Sequence, residues 1–124
     1  MKWLLLVFAF TLITTNALAE WTLVYDGKSF STYINHSFTR KNGDTVKIWT
    51  LDNFKTPQYG WLSSKAQHEF DCNEERVRLL AFIHTTDSMG SGDVISTETQ
   101  IGDWQPIAPD TINEELWKIA CDKQ

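Results

Sequence analysis

Two cysteines, Cys72 and Cys121, constrain the fold of this chain more than any other feature of its sequence. If the chain is exported to an oxidising compartment, the two thiols can pair in one way only. The bridge would close a loop of roughly 50 residues, which a chain-entropy estimate credits with about 4 kcal/mol of stabilisation through the unfolded state. A domain of this size has a free energy of unfolding of about 5 to 15 kcal/mol, so losing the bridge could be decisive.

Other chemistry for these cysteines is less favoured. A reactive thiol beside His68 or His84 would leave the second cysteine unexplained. A structural zinc site takes four ligands at tight spacing, and Cys72 has no C-x-x-C motif or close histidine partner. We therefore expect a disulfide.

The first residues of the chain have the pattern of a secretory signal peptide. Lys2 precedes an apolar run over residues 3–13, and Ala17-Leu18-Ala19 supplies small residues for cleavage between Ala19 and Glu20. The apolar run is too short to cross a bilayer, which needs about 20 residues. The sequence thus predicts a signal peptide over 1–19 and one domain over 20–124.

For the rest of the chain, we expect export without attachment to a membrane. No later segment is long and apolar enough to span a membrane, and a lipid anchor needs a cysteine directly after the cleavage site. The first cysteine is Cys72. We expect a periplasmic or secreted protein with no membrane span and no lipid anchor.

Composition excludes two further classes. The chain has 11 Lys and Arg against 16 Asp and Glu, whereas nucleic-acid binders place an excess of basic residues against phosphates. Its 42% apolar residues and six tryptophans are too many for a disordered chain. We expect a folded domain that does not bind nucleic acid.

Short runs of apolar residues separated by turn residues predict antiparallel strands. Asn42-Gly43 marks a hairpin, because both of its residues tolerate a positive φ. The six predicted strands are Trp21–Tyr25, Tyr33–Arg40, Thr45–Phe54, Leu62–Cys72, Arg76–His84 and Val94–Thr99.

The C-terminal segment has the signature of an amphipathic helix. Thr111 and Glu114 form a capping box, and the apolar residues that follow fill one continuous arc of the helix, which includes Trp117 and Cys121. We expect an α+β fold in which a sheet of about six strands carries this helix, tied to it by the disulfide. Trp49, Trp104 and Trp117 are predicted core residues.

Two pairs of residues are candidates for partner binding. Tyr59 and Trp61 flank Gly60 in a loop, and aromatic residues on loops are enriched at binding hot spots. Arg76 and Arg78 alternate onto one face of their strand, which we expect them to share with Phe82. Three carboxylates are near enough in sequence to pair with the arginines: Asp71, Glu74 and Glu75.

Catalytic and metal sites have little support. A catalytic histidine needs a positioned nucleophile or carboxylate, and neither His68 with Asp71 nor His84 with Asp87 belongs to a recognisable motif. The acidic residues near Asp71 lack the spacing of a calcium loop. We expect no cofactor and no metal.

Three motifs, taken in order, resemble one family of bacterial envelope proteins. They are Val46-Lys47-Ile48-Trp49-Thr50-Leu51, Phe70-Asp71-Cys72 with Arg76 and Arg78, and Trp104-Gln105-Pro106-Ile107-Ala108-Pro109-Asp110-Thr111 before the helix. This pattern is similar to the surface-adhesin protein E family. The resemblance covers residues 21–123 and implies a small antiparallel sheet with a C-terminal helix and a Cys–Cys tie.

The same resemblance implies an extracytoplasmic, Gram-negative setting and non-enzymatic binding of host matrix proteins such as vitronectin and laminin. The adhesin that names the family is a lipoprotein, and this chain lacks the lipid-bearing cysteine, so the fold transfers better than the role. We expect an exported protein that binds a host matrix or envelope protein. The alternatives are a periplasmic enzyme that uses His68 or His84 with a carboxylate, and a small envelope inhibitor or stress protein.

Overall fold

The fold is an antiparallel sheet with one helix. The structure, a computed structural model, describes residues 21–123, with Phe38 described by its backbone alone. Its elements are β1 (Trp21–Asp26), β2 (Phe30–Asn42), β3 (Thr45–Gln58), β4 (Trp61–Asp71), β5 (Arg76–Thr85), a 3-10 turn (Ser88–Gly90), β6 (Val94–Glu98), β7 (Gln105–Pro106) and α1 (Ile112–Ala120). Strands β1 to β6 lie side by side in chain order, and β7 pairs with β5.

The predicted architecture is confirmed, with one strand more than expected. All six predicted strands are present, and β7 is a two-residue addition beside the start of β5. The predicted signal peptide over 1–19 and the cleavage point between Ala19 and Glu20 lie outside the described residues.

Two tight hairpins join the central strands. Asn42 pairs with Thr45, so the loop between β2 and β3 is Gly43–Asp44, and Gly43 has a φ of 62°. Between β3 and β4 the loop is Tyr59–Gly60, with φ values of 49° and 88°. Two successive positive φ values characterise the type I′ turn, whose twist matches that of a hairpin.

One face of the sheet, here called the helix face, holds the hydrophobic core. It presents Val46 and Ile48 of β3 and Phe70 of β4 beneath α1, in agreement with the alternation of side chains along a strand. The buried core consists of Ile34, Val46, Ile48, Phe70, Val77, Leu116, Trp117 and Ala120. The strands contribute these core residues mainly from one end of the sheet. The helix α1 covers that end of the helix face and leaves the other end uncovered.

A cap defines the start of α1, and two contacts near its end fix it on the sheet. At its start, Thr111 Oγ1 accepts a hydrogen bond from the Glu114 amide at 3.2 Å, which confirms the predicted cap. At its end, Cys121 is bonded to Cys72, with the two Cα atoms 5.5 Å apart. The indole Nε1 of Trp117 also donates to the Asp71 carbonyl at 2.9 Å. The predicted disulfide and the predicted core position of Trp117 are both confirmed.

A β-bulge in β5 corrects the predicted distribution of its side chains. Glu69 pairs with Arg78, but Gln67, two residues earlier in β4, pairs with Ala81, which is three residues later in β5, so one residue of β5 is extra. The bulge therefore places Ala81, not Phe82, on the face of the arginines. Phe82 turns to the helix face.

The face opposite the helix is partly covered by the segment between β5 and β6. The Met89 amide donates to Asn53 Oδ1 at 2.8 Å and the Gly90 amide donates to Ser63 Oγ at 2.9 Å. Leu51 lies on this face and is fully buried. Trp49, predicted as core, also lies on this face, where it is half-buried outside the main core.

Candidate protein-contact surface

A continuous row of aromatic rings crosses the uncovered end of the sheet. Its members come from the five strands β1 to β5 and contact one another in sequence, with ring centroids 4.1 to 6.0 Å apart. The row consists of Tyr25, Phe30, Phe54, Trp61, His84 and Phe82. We call these six residues the aromatic row.

The aromatic row remains in contact with solvent. Tyr25 is 41% exposed, and the other five residues are half-buried. Tyr59, at the tip of the adjacent β3–β4 turn, is 96% exposed. Large amphipathic rings that lose little conformational entropy on binding are the residues that dominate protein interfaces.

The two predicted loop aromatics occupy different positions at this end of the sheet. Trp61 begins β4 and is held between Phe54, at 5.0 Å, and His84, at 4.1 Å. Tyr59 projects into solvent from the turn two residues earlier. Trp61 is thus a rigid member of a ring array, and Tyr59 is a free side chain beside it.

The imidazole of His84 takes part in the aromatic row through ring contacts with Trp61 and Phe82. It stacks on Trp61 with an interplanar angle of 12°, and burial lowers its pKa, so the imidazole is neutral near pH 7. Within residues 21–123, its Nδ1 has no hydrogen-bond partner. The structure therefore does not bring His84 together with Asp87 as a catalytic pair.

His68 lies on the helix face. Burial lowers its pKa to about 4, its Nε2 is 3.1 Å from Thr50 Oγ1, and its ring stacks on Phe70. Asp71, its nearest carboxylate in sequence, is paired instead with Arg76 on the opposite face. His68 is a neutral core-edge residue hydrogen-bonded to a threonine.

Arg76 and Arg78 form a ladder with two buried carboxylates. Arg76 Nε donates to Asp71 at 2.9 Å and Arg78 Nε donates to Glu69 at 2.6 Å. Burial alone would raise the pKa of Asp71, but hydrogen bonds from Arg76 and two backbone amides outweigh it and hold that pKa below its usual value. Ion pairing, one of the two readings open from the sequence, is therefore what the structure shows for both arginines.

Trp104 covers this ladder. Its ring lies 4.7 Å from the guanidinium carbon of Arg76 and 4.5 Å from that of Arg78, within cation–π range. Trp104 was predicted as core and is half-buried over the arginines instead. Trp104 and the two arginines belong to different sequence motifs, and they stack on one another on the face opposite α1.

A small cleft separates the aromatic row from the start of α1. It has a volume of about 170 Å³ and is lined by Phe30, Thr32, Thr50, Asp52, His68, Ile112, Asn113 and Leu116. Thr32 Oγ1 donates to Asp52 Oδ1 at 2.7 Å, and burial raises the pKa of Asp52. Asp52 is not among the site residues predicted from the sequence. Its one sequence signal is that it stands in phase with Val46, Ile48 and Thr50 along β3, which places it on the helix face.

Among the described residues, the structure contains neither a cluster suited to a metal ion nor a helix that could span a membrane. In residues 21–123, no three His, Cys, Asp or Glu side chains converge as a metal ion would require. The one α-helix of that range, α1, has nine residues and is too short to cross a membrane.

Comparison with known proteins agrees with this architecture. The model of the surface-adhesin protein E family matches residues 21–122, which is nearly all of the described chain. The chain belongs to this family. No curated protein sequence matches it at a significant level.

Solved structures of Haemophilus influenzae protein E have the same fold as this surface-adhesin protein E family member. Crystal form II is 12% identical with a TM-score of 0.66, over 82% of this chain and 87% of that one. The selenomethionine form is 14% identical with a TM-score of 0.67, over 81% and 85% of the two chains. The protein from a non-typeable strain is 14% identical with a TM-score of 0.60, over 81% and 75%. At these identities the likeness shows the fold alone.

Proposed function

We propose that this family member is an exported, non-enzymatic binding protein of the bacterial envelope. It contacts a protein partner through the aromatic row and the Tyr59 turn, and the partner is a host matrix protein or another envelope protein. The observation that carries the proposal is the aromatic row itself, which spans five strands and keeps every ring at least partly in contact with solvent.

Rigidity supports this surface as a binding site. The rings are fixed by one another and by strand backbones, so little side-chain entropy is lost when a partner covers them. The half-buried rings keep part of their surface accessible, and Tyr25 and Tyr59 beside them are exposed, so a partner can reach the row. The Arg76–Arg78 ladder has a different part in the proposal: it holds Trp104 and β7 in place beside β5.

Purified protein and a pair of matched tryptophan variants test the binding surface. Immobilised vitronectin and laminin are titrated with wild type, Trp61→Ala and Trp49→Ala. Trp49 is the matched control, because it is a half-buried tryptophan of the same sheet on the other face. A hot-spot tryptophan contributes about 2 kcal/mol or more, so Trp61→Ala is expected to weaken binding about thirtyfold while Trp49→Ala leaves it unchanged.

A photo-crosslinking amino acid at position 59 extends the test to envelope partners. In envelope extract, a crosslinker at 59 should capture a defined protein that the same crosslinker at the exposed position 103 does not. Equal binding by both tryptophan variants, together with identical crosslinks from the two positions, would remove the aromatic row from the proposal. If wild type binds neither matrix protein, the host-matrix part fails.

Export has its own test. The mature protein is expected to begin at Glu20 when it is recovered from the periplasm or the medium, as measured by intact mass. Recovery only from the cytoplasm, as a chain that still begins at Met1, would contradict both export and the proposed compartment.

A further inference from the structure

The cleft beside α1 contains a carboxylate without a basic partner. Four carboxylates in residues 21–123 are buried or half-buried, and three of them face a basic group: Glu69 with Arg78, Asp71 with Arg76, and Glu114 with Lys118. The fourth is Asp52. Within the same range, no Lys, Arg or His nitrogen lies within 4 Å of its oxygens, and its hydrogen bond is to the Thr32 hydroxyl.

The cleft leaves the second carboxylate oxygen of Asp52 accessible. Thr32 Oγ1 occupies Oδ1 at 2.7 Å, while Oδ2 is not among the buried polar atoms that lack a partner, so it still reaches solvent. Placing a charge in a half-buried site without a counter-ion is unfavourable, and a cation that enters the cleft would remove that cost.

The other lining groups fit the end of a basic side chain. Phe30 offers an aromatic ring, which attracts an ammonium or guanidinium group, and the exposed Asn113 amide offers a hydrogen-bond acceptor, whereas the Thr50 hydroxyl is already engaged with His68. His68 brings no positive charge near pH 7, because burial keeps its imidazole neutral. Leu116 completes the cleft with an apolar wall for an alkyl chain.

The start of α1 places a partial positive charge near the cleft, which would oppose a bound cation. Two acidic residues in the first turn, Glu114 and Glu115, counter it. The full charge of Asp52 is therefore the dominant electrostatic feature inside the cleft.

We propose that this cleft is a subsite for an alkylammonium or guanidinium group, the end of a lysine or arginine side chain on the protein partner. A volume of about 170 Å³ corresponds to roughly six water molecules, which suits one side-chain end and no folded segment. Phe30 belongs both to the aromatic row and to the lining of the cleft, so a partner that lies on the row can insert a basic side chain beside it. The inference rests on the proposed protein-binding function and names one feature of the partner.

An NMR titration tests the subsite without the partner. Isotope-labelled protein is titrated with Nα-acetyl-lysine methylamide and, separately, with the uncharged Nα-acetyl-norleucine methylamide. The lysine probe is expected to shift the backbone amides of Thr32, Asp52 and Asn113, and the norleucine probe is not. Asp52→Asn keeps the size of the side chain and an oxygen for Thr32, and is expected to weaken lysine binding about tenfold or more.

The matched control is Asp103→Asn, which removes the same charge from an exposed position away from the cleft. It is expected to leave the titration unchanged. Wild-type binding should also weaken on acidification as Asp52 is protonated, because the probe keeps its charge throughout. Equal shifts with both probes, or equal affinities in wild type and Asp52→Asn, would overturn the subsite.

The two proposals can fail separately. If the lysine probe binds at Asp52 but Trp61→Ala leaves partner binding intact, the proposed contact surface is wrong and the subsite stands. If Trp61→Ala abolishes partner binding but the lysine probe does not shift the cleft amides, the subsite is wrong and the contact surface stands.

Discussion

Removal of the disulfide should destabilise this protein far more than any single contact. The bridge joins residues 49 positions apart and holds α1 over the core at Phe70 and Trp117. The chain-entropy estimate for a loop of this length is about 4 kcal/mol. For a domain of about 100 residues, each kcal/mol shifts the melting temperature by roughly 4 °C or more, so the expected loss is about 15 to 25 °C.

The assay is differential scanning calorimetry of wild type, Cys72→Ser, Cys121→Ser and the double alanine variant. Both single variants break the same bridge and should melt at similar temperatures. Because Cys72 and Cys121 pack against the core, a serine hydroxyl at either place adds a small cost that the double alanine variant avoids. Wild type treated with reductant should melt close to the variants.

Two results would refute this reasoning. A shift of only a few degrees would mean that the constraint on the unfolded chain is not what stabilises the sheet–helix contact. A reductant effect of equal size in the double alanine variant would mean that the wild-type response does not report on the bridge.

Three further predictions concern the cap, the buried histidine and the ion pairs. Thr111→Ala should lower the free energy of unfolding by about 1 kcal/mol in urea titrations, because the first turn of α1 loses its cap; an unchanged midpoint would contradict this. His68 has a folded pKa of about 4, below its usual 6.5, so the unfolded chain binds the extra proton and stability should fall as pH drops from about 6.5 to about 4, by at most about 3 kcal/mol; His68→Gln should flatten that slope, and an equal slope would disprove the assignment. Glu69→Gln should destabilise by about 2 kcal/mol, since it leaves Arg78 half-buried without its carboxylate. Asp26→Asn removes the charge of the exposed pair with Lys55 but keeps an oxygen that can accept from the Ser31 hydroxyl, so it should not measurably change the melting temperature.

The strands and the helix were predictable from the sequence because their signals are local. Alternating residues in β3 and the capping box at Thr111 each depend on a few neighbouring positions. The Asn42-Gly43 hairpin was placed correctly, although its central residues are Gly43 and Asp44. The two-residue strand β7 was missed because it has no periodicity of its own and exists only through its pairing with β5.

The placement of side chains across the sheet was less predictable. One extra residue in β5 reversed the face of every later side chain, and no residue type marks that bulge. Trp49 and Trp104 were expected in the core on grounds of size alone, yet one lies on the face opposite α1 and the other stacks on Arg76 and Arg78. The positions of these two tryptophan side chains depend on which strands become neighbours in the folded sheet.

The candidate site was predicted only in part for the same reason. Trp61 and Tyr59 were identified from their loop, but the other rings of the aromatic row are far apart in sequence and meet only when five strands assemble. Asp52 was overlooked because a single carboxylate in an apolar strand has no motif. Asp52 becomes a candidate only in the folded structure, where its surroundings within residues 21–123 supply no basic group to pair with it.

The order of the strands carries a consequence for how the chain acquires its structure. Each of β2 to β6 pairs with the strand synthesised just before it, so these hairpins can add one after another as the polypeptide emerges, with little loop-closure entropy at each step. The terminal helix is different, because it must return across nearly fifty residues to reach Asp71 and Cys72. We therefore expect the two cysteines to pair after the sheet has formed, since that contact closes the longest loop.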